Sequence, residues 1–305
     1  MKKIFTILAA VMVATTTLHA ELVEEAYEPA PAAATQEENI SFAYEAGAEV
    51  VSAYLWRGLY NGGLSFQPTA SVGFDALDEN IQFRFGAWGS VGASDWKFQK
   101  GLPLYPDDSN PNTYFVPELD IFGSVQLWGV TLGFTHYYYF GGTPYFAKLE
   151  DAGGSQTEIQ IGYNTGDLIP GNLYFNWYTM IAGNDVWYDA NDVAHRAWSS
   201  YIELGYDYTW EDYGLTLGGQ IGMSPWKSDV YSNEKFAVVN LGLKLNKEWE
   251  FDVVTLDLFA QGTFNPDGLI TDKNDPDYNV FRNKAGDDKL YLQKLNGTIG
   301  VGIWF

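Results

Sequence analysis

The sequence contains no cysteine and has few basic residues, with 17 Lys and Arg against 39 Asp and Glu. Without cysteine the fold cannot rely on disulfides, so its stability must come from packing and strand pairing. The formal net charge of −22 argues against nucleic acid as a partner, because phosphate binding requires a basic surface.

Long apolar runs are also missing. No window resembles a transmembrane helix, which needs about 20 predominantly apolar residues. Zinc-ligand spacings, a phosphate loop and a dinucleotide-binding fingerprint do not occur. We therefore expect no resident metal and no cofactor.

The first residues have the features of an export signal. Lys2 and Lys3 precede a largely apolar run over residues 4–13, and a small residue, Ala20, follows at a plausible cleavage site. This pattern predicts a secretory signal peptide over residues 1–20, with a retained N-terminal anchor as the alternative. Residues 21–39 are rich in Glu, Ala and Pro, and we interpret them as a flexible acidic periplasmic leader.

What the chain does have is glycine (32 residues), aromatic residues (17%) and, from Ile40 onward, a period of two. The last segment places alternate apolar residues on one face: Ile299, Val301, Ile303 and Phe305. Its other face is mostly small or polar. Because a strand sends alternate side chains to opposite faces, one face suits lipid and the other a polar lumen.

Twelve such segments can be marked, at about 41–57, 65–76, 80–93, 115–128, 130–140, 156–165, 171–182, 197–210, 214–225, 236–247, 252–265 and 289–305. Links after the even-numbered segments are short, and links after most odd-numbered segments are long. An even strand number and this alternation of link lengths are typical of bacterial outer-membrane barrels. Residues 40–305 are therefore predicted to form an all-β, transmembrane, antiparallel up-and-down β-barrel of 12 strands.

Aromatic residues concentrate near the ends of these segments, as expected for girdles at two membrane interfaces. The predicted girdle residues are Tyr54, Trp56, Tyr137 to Phe140, Tyr206, Tyr208, Trp210, Trp226, Trp249, Trp304 and Phe305.

If the apolar face points to lipid, thirteen charged residues point inward. They are Glu45, Glu49, Arg57, Asp75, Arg84, Glu118, Asp120, Glu158, Glu203, Asp207, Lys244, Asp257 and Lys294. Two interpretations stay open: ion pairs that brace a filled barrel, or an aqueous pore whose charges bias ion passage. Nine of the thirteen are acidic, so an open pore would prefer cations.

An enzymatic barrel is disfavoured. A barrel lipase or deacylase would need a base beside a serine nucleophile, and serines such as Ser124 lie in no recognisable nucleophile motif. We interpret His136 as an interfacial residue of an aromatic girdle and His195 as a solvated loop residue. The acidic stretch 272–277, with Asp287 and Asp288, could hold a hard cation, but an ordinary solvated loop is favoured.

The first segment ends in Ser52-Ala53-Tyr54-Leu55-Trp56-Arg57-Gly58. This motif resembles the Y-x-[FW]-R-G signature of the TorF-type porin family, in which a signal peptide precedes about twelve strands and the chain ends in an aromatic residue. The resemblance covers about seven residues plus the general architecture, and it implies a channel-like protein without a defined substrate. The acidic leader and the long last loop depart from that family. Arg57 would lie near the outer mouth, where it could brace the wall by pairing with Asp75 or a loop acid, or form a constriction.

Together these patterns predict a porin-like channel of the bacterial outer membrane for ions or small hydrophilic solutes. A structural or adhesive barrel with a plugged lumen is the alternative, and a lipid-modifying enzyme a weaker one. Expected partners are outer-membrane lipids, lipopolysaccharide and the barrel-assembly machinery, which would recognise a C-terminal strand ending in Phe305.

Overall fold

The computed structural model describes residues 40–77, 80–92, 118–140, 155–189, 191, 193–231, 233–266 and 295–305. Twelve antiparallel strands close into one barrel. They are β1 (Ser41–Val51), β4 (Ser65–Ala76), β5 (Ile81–Gly92), β6 (Glu118–Leu127), β7 (Val130–Tyr139), β8 (Ser155–Asn164), β9 (Asn172–Gly183), β12 (Ser200–Trp210), β13 (Leu215–Ser224), β14 (Ala237–Phe251), β15 (Val254–Phe264) and β16 (Leu295–Trp304). The predicted fold and strand count are confirmed.

Closure is made by the first and last strands. β1 pairs antiparallel with β16, with Val50 opposite Val301. The amide of Phe305 also donates to the carbonyl of Ala46 at 2.8 Å. Because each strand has two partners, the described barrel leaves no sheet edge open to another chain.

Two small hairpins at the same end of the barrel do not belong to its wall. One is formed by β2 (Tyr54–Trp56) and β3 (Leu59–Gly62), and the other by β10 (Val186–Tyr188) and β11 (Ala194–Arg196). We call this the loop end, since the described connections from β1 to β4, from β9 to β12 and from β13 to β14 lie here. The opposite end, which carries both termini of the barrel, is the turn end.

Links at the turn end are short. β6 and β7 are joined by only Trp128 and Gly129, which have φ values of 47° and 82°. Positive φ at both positions is the geometry of a type I′ turn, whose twist matches that of the flanking strands.

The outer surface of the barrel is apolar because alternation places large side chains there. Val72, Leu132 and Leu243 are exposed, and Leu243, near the middle of its strand, is 66% exposed. Exposed aromatic residues such as Trp210 and Trp249 lie nearer the strand ends. An exposed apolar patch of this extent is rare on a soluble monomer.

Some sequence predictions need correction. β1 ends at Val51 rather than residue 57, because the chain leaves the wall and reverses at Arg57 and Gly58, where φ is 48° and 84°. Tyr54 and Trp56 therefore lie in the lumen and not in a girdle. Tyr137 also faces inward, since its hydroxyl donates to Glu158, and Trp304 does so because its indole donates to Asp257.

The predicted signal peptide and leader lie outside the described residues, as do residues 93, 115–117 and 289–294 of the predicted strands. Within the described residues, no helix is long and apolar enough to span a membrane.

Candidate functional site: a hairpin inside the barrel

Residues 52–64 connect β1 to β4 and fold into the lumen; we call them the lumen hairpin. Its two short strands pair, with Trp56 opposite Leu59. The tip needs a left-handed backbone at two successive positions, Arg57 and Gly58. Glycine suits the second position because a Cβ at Gly58 would lie 2.8 Å from the carbonyl oxygen of Val239.

The lumen hairpin contacts the wall on several sides. At its start, the amide of Ala53 donates to Thr298 of β16 at 3.1 Å. The ring of Tyr54 packs against Trp88 of β5, with centroids 5.3 Å apart. Its tip reaches β14 and β8, so the hairpin extends across the lumen near the loop end.

An ion pair fixes the tip. Arg57 donates from Nη1 and Nη2 to the two carboxylate oxygens of Glu158 on β8, at 2.6 and 2.7 Å. The hydroxyl of Tyr137 donates to the same carboxylate at 3.1 Å. The side chains of Arg57 and Glu158 are only 12% and 3% exposed. A bidentate, buried pair of this kind has well-defined geometry and is costly to break.

Aromatic rings surround the guanidinium of Arg57. Its Cζ lies 3.6 Å from the ring centroid of Tyr178, 4.7 Å from that of Trp56 and 5.1 Å from that of Tyr201. These distances fall within the range of cation–π attraction. Glu158 and the three rings thus form a cage around Arg57.

A second loop joins this cage. Tyr231, from the connection 225–236, stacks parallel to Trp56 and also packs on Tyr201, with centroids 6.2 and 5.5 Å away. These rings pack with Val239 in a buried cluster. The lumen at this level is therefore filled by side chains from the wall and from two loops.

Most of the predicted lumen residues do face inward in the described strands. Besides Arg57 with Glu158, the structure pairs Arg84 with Asp75 at 2.7 Å. Arg57 therefore does not pair with Asp75, because the hairpin carries it to the far side of the lumen. Lys294 lies outside the described residues.

The other predicted charges have varied surroundings. Lys244 Nζ lies 4.5 Å from the ring centroid of Phe259, and its positive charge acts on both Glu49 and Asp207. Asp257 accepts a hydrogen bond from Trp304, and Glu203 accepts one from Tyr201. Glu118 and Asp120 lie beside each other on β6. Glu45 lies near the turn end, opposite Ser71.

Acids outnumber bases inside even after pairing. The structure describes twelve of the predicted charged residues, and four of these form the ion pairs Arg57–Glu158 and Arg84–Asp75. Eight remain, of which seven are acidic and one, Lys244, is basic.

The two histidines among the described residues, His136 and His195, lie on different elements and in different surroundings. His136 alternates with the inward Tyr137 and so lies on the opposite face of the wall, where its Nδ1 is 2.8 Å from Thr157 Oγ1. His195 stacks on Trp187 and pairs with Asp189 at 3.2 Å, so it is partly packed and not simply solvated. Backbone N–H groups of Val193 and Asn191 donate to Asp189 and hold the pKa of its carboxyl below the ordinary value.

Several residues of the cage were not predicted. Tyr178, Tyr201 and Tyr231 carry no charge and belong to no motif. Gly58 after Arg57 and the Asn61-Gly62-Gly63 run were the local signals of a turn. No group of three or more His, Cys, Asp or Glu that could hold a metal occurs in the described ranges.

No protein-family model and no curated protein matches the chain, so the likeness to the TorF-type family stays a prediction. Among solved structures, a Salmonella typhi OmpF in complex with daunomycin is 11% identical, with a TM-score of 0.34, over 88% of this chain and 97% of that chain. A Pseudomonas aeruginosa FadL homologue is 9% identical, with a TM-score of 0.36, over 88% of this chain and 90% of that chain. The barrel assignment depends on this chain's own strand pairing and not on these likenesses.

Proposed function

We propose that this barrel spans the bacterial outer membrane and conducts ions or small hydrophilic solutes passively, through a bore that the lumen hairpin restricts. The observation that carries this proposal is a closed barrel with an apolar outer face and a charged lumen, into which a loop folds. The apolar face fits lipid and lipopolysaccharide as surroundings, and Phe305 fits the C-terminal residue that an assembly machinery would recognise.

Cation preference is part of the proposal. It is supported by the seven acids and one lysine that remain after the two ion pairs are set aside. A ring of like charges in a narrow lumen attracts counter-ions and repels ions of its own sign.

A plugged barrel that acts through its loops is the second candidate, and one observation favours it. Tyr201 and Val239 in the lumen cluster are 1% and 0% exposed, so this level of the lumen is closely packed. The two candidates differ in whether the native protein conducts at all.

The test is planar-bilayer conductance under a salt gradient. Because Val51 and Ser65 are directly paired, residues 52–64 can be replaced by a two-residue Asn-Gly turn that keeps the register. The channel proposal predicts small native conductance and a larger conductance for this variant, both with cation preference.

Native protein that is silent, with conductance appearing only after the hairpin is removed, would support the plugged barrel. Silence in both proteins would refute a channel, and anion preference in conducting protein would refute the charge argument. An unchanged heat-modifiable gel mobility of the variant shows that its barrel is folded.

A further inference from the structure

A group of buried oxygen atoms lies on the lumen wall beside the hairpin, separate from the Arg57 cage. In the sheet register, Ser90 of β5 is opposite Glu118 of β6, which is opposite Tyr139 of β7. The next inward row along the strands contains Trp88 and Asp120. Cross-strand neighbours on one face have Cβ atoms about 4.5–5.5 Å apart, so these polar groups converge.

Burial of this group is nearly complete. Glu118 is 5% exposed, Asp120 is 7% exposed and Ser90 is not exposed at all. Glu118 Oε1, Asp120 Oδ1 and Ser90 Oγ have no hydrogen-bond partner among the described residues. Buried polar atoms are normally satisfied, so three unpartnered oxygens in one place require an explanation.

No basic side chain among the described residues is a partner for these oxygens. The four ion pairs among the described residues do not include Glu118 or Asp120, and the nearby guanidinium of Arg57 is already taken by Glu158. The Glu118 carboxylate accepts hydrogen bonds from the phenols of Tyr54 and Tyr139 and is hydrogen-bonded to Asp120, and none of these groups carries a positive charge. Two buried carboxylates side by side repel each other unless a cation or a proton lies between them.

We propose that Glu118, Asp120 and Ser90 bind a hard divalent cation of the calcium class. Carboxylate and hydroxyl oxygens are the ligands such ions prefer, and water would complete the coordination sphere. Ser90 is the independent indication of a ligand, because its hydroxyl is fully buried, unpartnered among the described residues and opposite Glu118. Tyr54, beside Glu118 and packed on Trp88, connects the site to the lumen hairpin.

The test uses full-length protein in detergent micelles, stripped of metal with a chelator and titrated with Ca²⁺ by calorimetry. Tb³⁺ serves as a second probe, since Trp88, opposite Asp120, and Tyr54, beside Glu118, can sensitise its emission. Glu118→Gln and Asp120→Asn should each weaken Ca²⁺ binding by roughly tenfold or more, because affinity follows the number of charged ligands. Glu45→Gln, an inward acid at the turn end, is the matched control and should bind as the native protein does.

Three outcomes would overturn the proposal. They are no Ca²⁺ binding by native protein, equal affinity in Glu118→Gln and native protein, or equal loss in Glu45→Gln. The first would mean that a proton or water occupies the site. If the acid variants do not fold, Ser90→Ala decides the matter, since loss of one ligand should weaken binding and an unchanged affinity would contradict the site. Binding is measured without a membrane potential, so the result does not depend on whether the lumen conducts.

Discussion

Removal of the Arg57 side chain is the most direct test of the lumen hairpin. In Arg57→Ala, Glu158 keeps the hydroxyl of Tyr137 as its hydrogen-bond donor among the described residues and remains in a site where it was 3% exposed. Breaking a buried, hydrogen-bonded ion pair by removing one partner costs about 3–5 kcal/mol. Loss of the cation–π contact with Tyr178, at 3.6 Å, adds to this cost.

This cost falls on the docked state of the hairpin, because the barrel wall keeps all its strand pairing. A change of about 3–5 kcal/mol corresponds to roughly two to four orders of magnitude in the ratio of undocked to docked hairpin. The absence of native cysteine allows a background-free reporter. Leu59→Cys places a thiol on the hairpin, where Leu59 packs against the buried cluster.

The assay is the rate at which a hydrophilic maleimide labels Leu59→Cys, with and without Arg57→Ala. We expect labelling to accelerate by about 100-fold or more in the double variant, with a parallel rise in conductance. Arg84→Ala is the matched control, because Arg84 also faces inward and pairs with an acid but is 31% exposed. It donates its hydrogen bonds to wall residues Phe74, Asp75 and Phe83. Equal labelling rates in the Arg57→Ala and Arg84→Ala backgrounds would refute the reasoning.

Three further predictions concern the wall and the second hairpin. Leu243 lies on the outward face at mid-strand and is 66% exposed. Leu243→Arg should therefore destabilise the barrel in lipid vesicles by about 2–4 kcal/mol. If urea unfolding shows that Leu243→Arg is as stable as Leu243→Ala, the residue does not face lipid. Gly73→Val should abolish the heat-modifiable form, because a Cβ there would overlap the carbonyl oxygen of Phe83 on the next strand. Gly262→Ala should not, because no atom lies within 4 Å of a Cβ at that position. Because the pKa of Asp189 is lowered, its carboxylate stabilises the β10–β11 hairpin at every pH above the ordinary Asp pKa, and this stabilisation is lost as the pH falls through the lowered value. NMR of the His195 ring should show the transition below a pH of about 3.9. The Asp189→Asn variant should show no such transition.

The wall could be predicted because its signal is local. Alternation within β16, for example, shows directly which side chains meet lipid and which meet the lumen. One residue of β14 nonetheless departs from this pattern. Strict alternation would place Val239 on the outward face with Leu241 and Leu243, but a register shift opposite Gly222 and Met223 turns it inward, where it is 0% exposed. A bulge of this kind follows from pairing with a neighbour and is not visible in a period-two pattern.

The lumen hairpin could not be predicted for a related reason. Tyr54 and Trp56 continue the alternation of β1, so the sequence favours one long strand. What turns them inward is a contact between Arg57 and Glu158, which are 101 residues apart. Glu158 is the partner of Arg57 because barrel closure brings β8 to the far side of the lumen from β1. Charge type and inward orientation were therefore predictable, whereas the choice of partner was not.

The same ion pair links the width of the lumen to its charge. While Arg57 is docked, it fills space near the loop end and neutralises Glu158. If the hairpin moves out, Arg57 leaves with it, and the wall gains one uncompensated carboxylate at the level where space is freed. Because the other paired base, Arg84, lies on the wall and stays in place, the lumen becomes wider and more acidic in one step. Opening of the proposed channel and strengthening of its cation preference are thus consequences of a single displacement.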